Sequence, residues 1–135
     1  HSLMNQVASN PQILQEITPR QFEELVCELF EKEGNHVELT KQTRDGGKDL
    51  IILNNSSLGD FVIYAECKKR APKYPVNVGF VRELYGTVNA DNATAGIMVT
   101  TSYFSRDARK YREKIKSRMS LIDYTELMKR IMACK

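Results

Sequence analysis

From Phe22 to Phe30 the apolar side chains fall at Phe22, Leu25, Val26, Leu29 and Phe30, in steps of three and four that gather them on one face of a helix. The start of that helix is written just upstream: Thr18 can cap it, Pro19 takes the first helical position, and Gln21 completes a T-x-x-Q capping box. Gly34 supplies a stop. Beyond it the period changes. Apolar-rich stretches at 36–43, 49–53 and 61–68 read as strands, and NNSSLGD between the last two is a cluster of turn formers, so these two form an antiparallel hairpin with a longish loop.

Pro72 and Pro75 end the third strand, and helical spacing returns from Asn77 with Val81, Leu84, Tyr85 and Val88 on one face. GIMVTT, residues 96–101, is the short apolar run of a strand covered on both faces. Ser105 caps a further helix whose buried stripe is Phe104, Ala108, Tyr111 and Ile115. A short strand at 119–123 and a helix from Thr125, with Leu127, Met128 and Ile131 apolar, complete the pattern. Residues 4–17, interrupted by Pro11, carry only a weak pattern that has room for a short helix. The hairpin must be antiparallel while strand-helix-strand units give parallel neighbours, so the expected fold class is α/β, a central mixed sheet between helical layers.

At 135 residues there is room for one compact domain with a sizeable core and little for a second. The hydrophobic share of 41% and charged share of 27% are those of a soluble globular chain, and no apolar run is long enough to span a bilayer. Cys27, Cys67 and Cys134 are odd in number, far apart and without a C-x-x-C pair, which points to a reduced, cytoplasmic protein. His1, Ser2 and Leu3, ahead of Met4, are set aside as an expression remnant, and no signal peptide follows. Charge is unevenly spread: residues 1–65 hold 5 Lys and Arg against 10 Asp and Glu, whereas residues 66–135 hold 15 against 7. A basic face for phosphate backbones and an ordinary solvated surface both account for that asymmetry.

Candidate chemistry lies in two segments. RDGGKDLIIL sets Asp49 at the start of a strand after a Gly-Gly turn, and FVIYAECKK sets Glu66 and Lys68 two apart on the next. Side chains alternate along a strand, so Glu66 and Lys68 share a face and Cys67 points the other way. If the hairpin closes symmetrically about its loop, Leu53 opposes Val62 and Asp49 opposes Glu66, with the two carboxylates roughly 5 Å apart at Cβ. Two such carboxylates in a cleft repel each other unless a cation or proton intervenes. Magnesium suits them, binding through one or two carboxylates plus waters and a substrate phosphate, and the Cys67 carbonyl offers a third ligand. At a phosphodiester it would polarise the phosphate and lower the pKa of bound water, while Lys68 orients water or holds the phosphate as a point charge. Taken singly these signals are weak, because E-x-K is common on strands and D-G-G is a turn.

In combination they resemble the catalytic domain of the Mrr family of restriction endonucleases, within the PD-(D/E)xK nuclease superfamily. The resemblance runs from about Ile17 to Leu127 and is carried by ITPRQFEELV, DGGKDLII, VIYAECKKR, VGFVREL, GIMVTTSYFSRDAR and SLIDYTEL. It implies a restriction-endonuclease-like three-layer α/β/α sandwich over residues 17–135, preceded by an N-terminal segment, 1–16. It further implies a magnesium-dependent DNA endonuclease, with manganese able to substitute, Asp49 and Glu66 as metal ligands and Lys68 as the catalytic lysine. Mrr domains often carry Gln where Glu66 stands; the superfamily's acidic residue is present here. The glutamate on the first helix that is often counted with the site falls at Glu23, for which a solvated helix position is the competing account. Asp45 is assigned to capping the Gly46–Gly47 turn.

DNA is the implied substrate, including DNA with modified bases for several members, and a homodimer is the simplest way to cut both strands. Mrr enzymes usually join this domain to a DNA-reading module, so recognition is expected from a longer parent chain, a partner protein or DNA shape. The alternatives are a non-catalytic DNA-binding module with a nuclease fold, and a nuclease for branched DNA or RNA. Tyr64, on the face of Glu66, borders the site or simply packs. His36 is read as a strand residue. Arg82, the Lys68-Lys69-Arg70 run with Lys73 and Tyr74, and the basic residues of 105–118 either follow a phosphate backbone or keep a surface wet.

Overall fold

The computed structural model describes residues 2–41 and 47–134. The capping box is present: Thr18 Oγ1 accepts the Gln21 N–H at 3.0 Å and Gln21 Oε1 accepts the Thr18 N–H at 2.9 Å, opening helix α3 (Pro19–Lys32). Its stripe Phe22, Leu25, Val26, Leu29 and Phe30 is buried, and Gly34 ends the helical segment in the left-handed region at φ +99°. Before it stand two shorter helices, α1 (Leu3–Ser9) and α2 (Ile13–Glu16), with Pro11 between them. Ser2 caps α1 and Leu3 is its first residue, while Met4, Val7 and Leu14 are fully part of the core. The N-terminal stretch thus folds with the domain, because its apolar residues complete the hydrophobic layer over α3.

Among the described residues five strands form one sheet in the order β1-β2-β3-β4-β5: β1 (His36–Leu39), β2 (Leu50–Ser56), β3 (Gly59–Lys68), β4 (Ala95–Thr100) and β5 (Met119–Ile122). The first three pair antiparallel and the last three parallel, the mixed sheet expected. Helix α4 (Val78–Ala90) connects β3 to β4, α5 (Arg106–Lys114) connects β4 to β5, and α6 (Tyr124–Ala133) ends the chain. Alternation along β3 feeds two separate cores. Ile63, Ala65 and Cys67 pack with α1, α2, α3 and α6, whereas Val62 and Tyr64 pack with α4 and α5. The layers are therefore helix, sheet, helix. Among the described residues no helix is long and apolar enough to cross a membrane.

Several boundaries differ from the sequence reading. From Leu50 to Ser56 the hairpin register is as inferred, with Leu53 opposite Val62, but Asp49 is not paired with Glu66 as expected, because its N–H goes to the Ala65 carbonyl, and the strands run on to Ser56 and Gly59, leaving Ser57 and Leu58 as a two-residue turn. Asn54, Asn55 and Ser56 are exposed, so polar side chains cost nothing there, and Gly59, at φ +132°, closes the turn. β1 ends at Leu39, and Thr43 lies outside the described residues. Asp123 caps α6 by accepting the Glu126 N–H at 2.9 Å, so β5 stops at Ile122 and α6 begins at Tyr124. Gly96 lets α4 and β5 close on β4, since a Cβ there would lie 2.7 Å from Met119 Sδ and 3.0 Å from Val88 Cγ2.

Candidate active site

Asp49 sits one residue ahead of β2 rather than on it, and this displacement shapes the site. Leu50 is paired with Ala65, and the Asp49 N–H also goes to the Ala65 carbonyl at 2.9 Å, so two consecutive residues address one residue of β3, as in a bulge. The Asp49 carboxylate then turns to β3 and accepts the Cys67 N–H at 2.8 Å. Two further contacts hold this corner. Thr40 donates its N–H to the Asp49 carbonyl at 2.9 Å, and Gly47, at φ +64°, lies so close to α4 that a Cβ would come within 2.8 Å of Thr87 Oγ1. Glycine is favoured there on both counts. Asp45 and Gly46 lie outside the described residues.

Glu66 and Lys68 share a face, as strand alternation requires, and are joined by an ion pair of 2.8 Å between Glu66 Oε2 and Lys68 Nζ. The Lys68 ammonium also lies 4.4 Å from the centroid of the Phe80 ring on α4, which Arg70 approaches at 5.1 Å. From α3, Glu23 reaches the same corner, held by Arg20 at 2.9 Å, while Arg20 also donates to the Thr40 carbonyl at 3.0 Å. The four predicted residues Asp49, Glu66, Lys68 and Glu23 are thus brought together where β3 ends.

Electrostatics tie the carboxylates to one another. Burial pushes the Glu66 pKa up; Lys68 opposes the shift, and the charges of Asp49 and Glu83 reinforce it. Burial likewise raises Glu23, with Arg20 opposing and Asp49 adding to the rise both as a charge and as a hydrogen-bond partner. The Cys67 thiol is pushed well up, first by burial and then by Asp49, Glu23 and Glu66, which keeps it protonated and inert. Cys67 enters the site through its backbone.

Such an acid-rich corner suits a hard dication. Among the described residues no three His, Cys, Asp or Glu side chains converge into a metal cage. Magnesium does not need one, since two carboxylates, a carbonyl, waters and phosphate complete its shell. The charge on Glu66 carries a cost that has a readable sign. With its folded pKa raised, ionised Glu66 costs stability that the protonated form does not, and the loss grows as pH rises from below the ordinary glutamate value through the raised one. Glu66→Gln is therefore expected to melt higher than the parent at pH 8 in chelator, with the gap closing near pH 4. Thermal melts across that range check it; a lower melting temperature at pH 8 would refute it.

Sequence reasoning did not find Glu83, Phe80 or Arg20. Phe80 and Glu83 are one turn apart on α4, so their spacing held the signal, but only the packing of α4 on the sheet shows which way they face. Tyr64 is buried and donates to Asp91 at 2.8 Å, a packing role. His36 is an exposed strand residue 3.5 Å from Glu38. Arg82 lies over the Tyr111 ring at 5.1 Å, and Arg112 and Arg118 donate to the carbonyls of Met119, Thr94 and Ala93, so part of the basic set holds the fold together.

A family model for the Mrr catalytic domain, described as restriction endonuclease, matches residues 14–131. The chain belongs to this family. Among solved structures, the Mrr-type fold seen here is shared with the DNA modification-dependent restriction endonuclease AspBHI, at TM-score 0.71 and 22% identity over 90% of this chain and 35% of that one. It is shared also with MspJI restriction endonuclease in complex with a 27-mer oligonucleotide, at TM-score 0.60 and 21% identity, covering 95% and 29%. The uncharacterized protein y4cE of Sinorhizobium fredii is 29% identical over 104 residues, 76% of this chain and 26% of that protein. The Mrr-family chain therefore spans about a quarter to a third of the length of these three proteins.

Proposed function

We propose that this chain is the cleaving domain of a magnesium-dependent DNA endonuclease of restriction type. The observation that supports it most is the meeting of Asp49, Glu66 and Lys68 at the end of β3, two carboxylates and a cation on one corner. Asp49 and Glu66, with the Cys67 carbonyl, would hold the metal. When bound, magnesium, or manganese in its place, supplies Lewis acidity to the phosphate and offsets charge on the leaving oxygen. Lys68, steadied by Glu66 and the Phe80 ring, holds the phosphate and positions the attacking water. The Cys67 N–H fixes the rotamer of Asp49, and Glu23 lies behind Asp49 with Arg20 balancing its charge. Choice of DNA, including dependence on modified bases of the kind AspBHI is named for, is assigned to chain or partner outside this domain, and cutting of both strands to a homodimer.

The test offers supercoiled plasmid to the protein with magnesium, manganese or chelator, alongside junction, single-stranded and RNA substrates. Nicking or linearisation of the plasmid with either cation and none in chelator is expected. DNA binding that weakens steeply with salt, with no cleavage under any cation, would make the chain a binding module instead. Preferential cutting of junctions or RNA would reassign the substrate.

A further inference from the structure

A cavity of about 540 Å³ opens among α2, the loop after β3, the turn after β4 and the start of α6. That is within the roughly 300–1,000 Å³ of small-molecule sites. Three of its four walls leave the carboxyl ends of the parallel strands β3, β4 and β5, the end of an open α/β sheet where ligands bind. Its lining includes Tyr103, Tyr124, Pro11, Pro72, Gln12 and Gln15. We propose that this cavity receives an unpaired nucleobase of the DNA strand being cut, an inference that rests on the nuclease reading and specifies its substrate.

The two tyrosines, 46% and 37% exposed, line the cavity with side chains still accessible to a ligand. Both are held by the backbone: the Tyr103 carbonyl accepts the Val76 N–H at 2.8 Å, and the Tyr124 N–H donates to the Ser102 carbonyl at 3.0 Å. Rings that present a face at little entropic cost are stacking platforms for bases, and proline rings offer further flat apolar surface. The side-chain amides of Gln12 and Gln15 make no hydrogen bond among the described residues. An amide offers donor and acceptor together, the complement of a base edge.

The cavity is also tied to the proposed catalytic strand. Lys69 Nζ donates to the Gln15 carbonyl at 3.1 Å, the Lys68 carbonyl accepts Thr100 Oγ1 at 2.7 Å, and Thr101 Oγ1 donates to the Arg70 carbonyl at 2.7 Å. Lys68 and Thr100 are register partners, so Tyr103 lies three residues along from a point one strand away from Lys68. At about 3.4 Å per residue and 4.8 Å between strands the separation is at most roughly 15 Å. A DNA strand with its phosphate at Lys68 covers that distance in about four nucleotides. The ammonium of Lys69, held at the Gln15 carbonyl, puts positive charge beside the cavity, and the one carboxylate in its lining, Asp123, is engaged in capping α6, which favours a polyanion over an apolar peptide segment as occupant.

The experiment titrates the intact chain, in chelator so that nothing is cut, into duplex DNA carrying the fluorescent base 2-aminopurine in a single-nucleotide bulge or fully paired. Stacking on a tyrosine should quench the bulged base in a saturable way, with binding at least about fivefold tighter than to the paired duplex. Tyr103→Ala and Tyr124→Ala should each weaken it about tenfold, within the range for losing one base-aromatic stack. Tyr103→Phe should restore tight binding, which a lost fold would not allow. No quenching, as when another protein segment fills the cavity, would overturn the proposal, as would equal affinity for paired and bulged DNA or for the alanine variants. Plasmid cutting by the parent protein reads the nuclease assignment separately: quenching without cutting would remove that assignment and leave the pocket, and cutting without quenching would remove only the pocket.

Discussion

Asp49→Asn is expected to lower DNA cleavage by at least about a hundredfold while leaving the melting temperature close to that of the parent, the scale seen when one charge-stabilising group is removed from an active site. The separation of effects follows from what the carboxylate does. One oxygen accepts the Cys67 N–H at 2.8 Å, a bond that an asparagine oxygen can keep, so the bulge ahead of β2 stays in place. The negative charge is lost, and with it most of the attraction for a dication between Asp49 and Glu66. Raising magnesium should recover part of the rate. Lys68→Ala should lose a similar or larger factor that magnesium does not recover, since under the proposed function its charge acts on the phosphate rather than on the metal. Initial rates of plasmid nicking across a magnesium series measure both; Asp49→Asn cutting within about threefold of the parent would remove Asp49 from the catalytic set.

Phe22→Ala is expected to cost about 3–5 kcal/mol, a large part of the 5–15 kcal/mol by which a domain is stable. Phe22 is fully buried between α3 and the sheet, and its neighbours belong to the same cluster as Met4, Leu14, Leu50 and Leu127, elements that cannot all move in to fill the hole. A fall in melting temperature of roughly 10–20 °C follows for a domain of this size. Denaturant unfolding with an unchanged slope would show that the native state, rather than the unfolded one, has been weakened. A loss below about 1 kcal/mol would mean that this face of α3 repacks, and that its hold on Glu23, the next residue, is looser than the structure indicates.

Phe22 and Glu23 illustrate how differently core and site are encoded. The place of Phe22 is legible because helix period, capping box and apolar spacing all require one buried face of α3, and each is a local property. Glu23 is adjacent in sequence, but beyond the local Arg20 its setting is non-local, made by Asp49 and by the Thr40 carbonyl after β1 that holds Arg20. The hairpin was readable for a related reason: a symmetric closure brings Leu53 to Val62 whether the loop is drawn long or short. Its length was misread because polar residues at 54–60 look like loop, while an exposed hairpin tip places no demand for apolar side chains on its strands.

By itself the sequence determined the order of elements from α3 onward, the mixed sheet and the shared face of Glu66 and Lys68, because these follow from periodicity and short-range geometry, while the family was legible through the resemblance carried by DGGKDLII and VIYAECKKR. Only the tertiary structure decided that Asp49 leaves the ladder to hold the Cys67 N–H, that Glu83 and the Phe80 ring reach Glu66 and Lys68 from α4, and that Tyr103 and Tyr124 share a cavity at the same end of the sheet. The physical reason is common to all three. Each depends on how elements far apart in the chain are stacked, and a side chain's partners across that distance are set by packing of the whole core rather than by any local pattern.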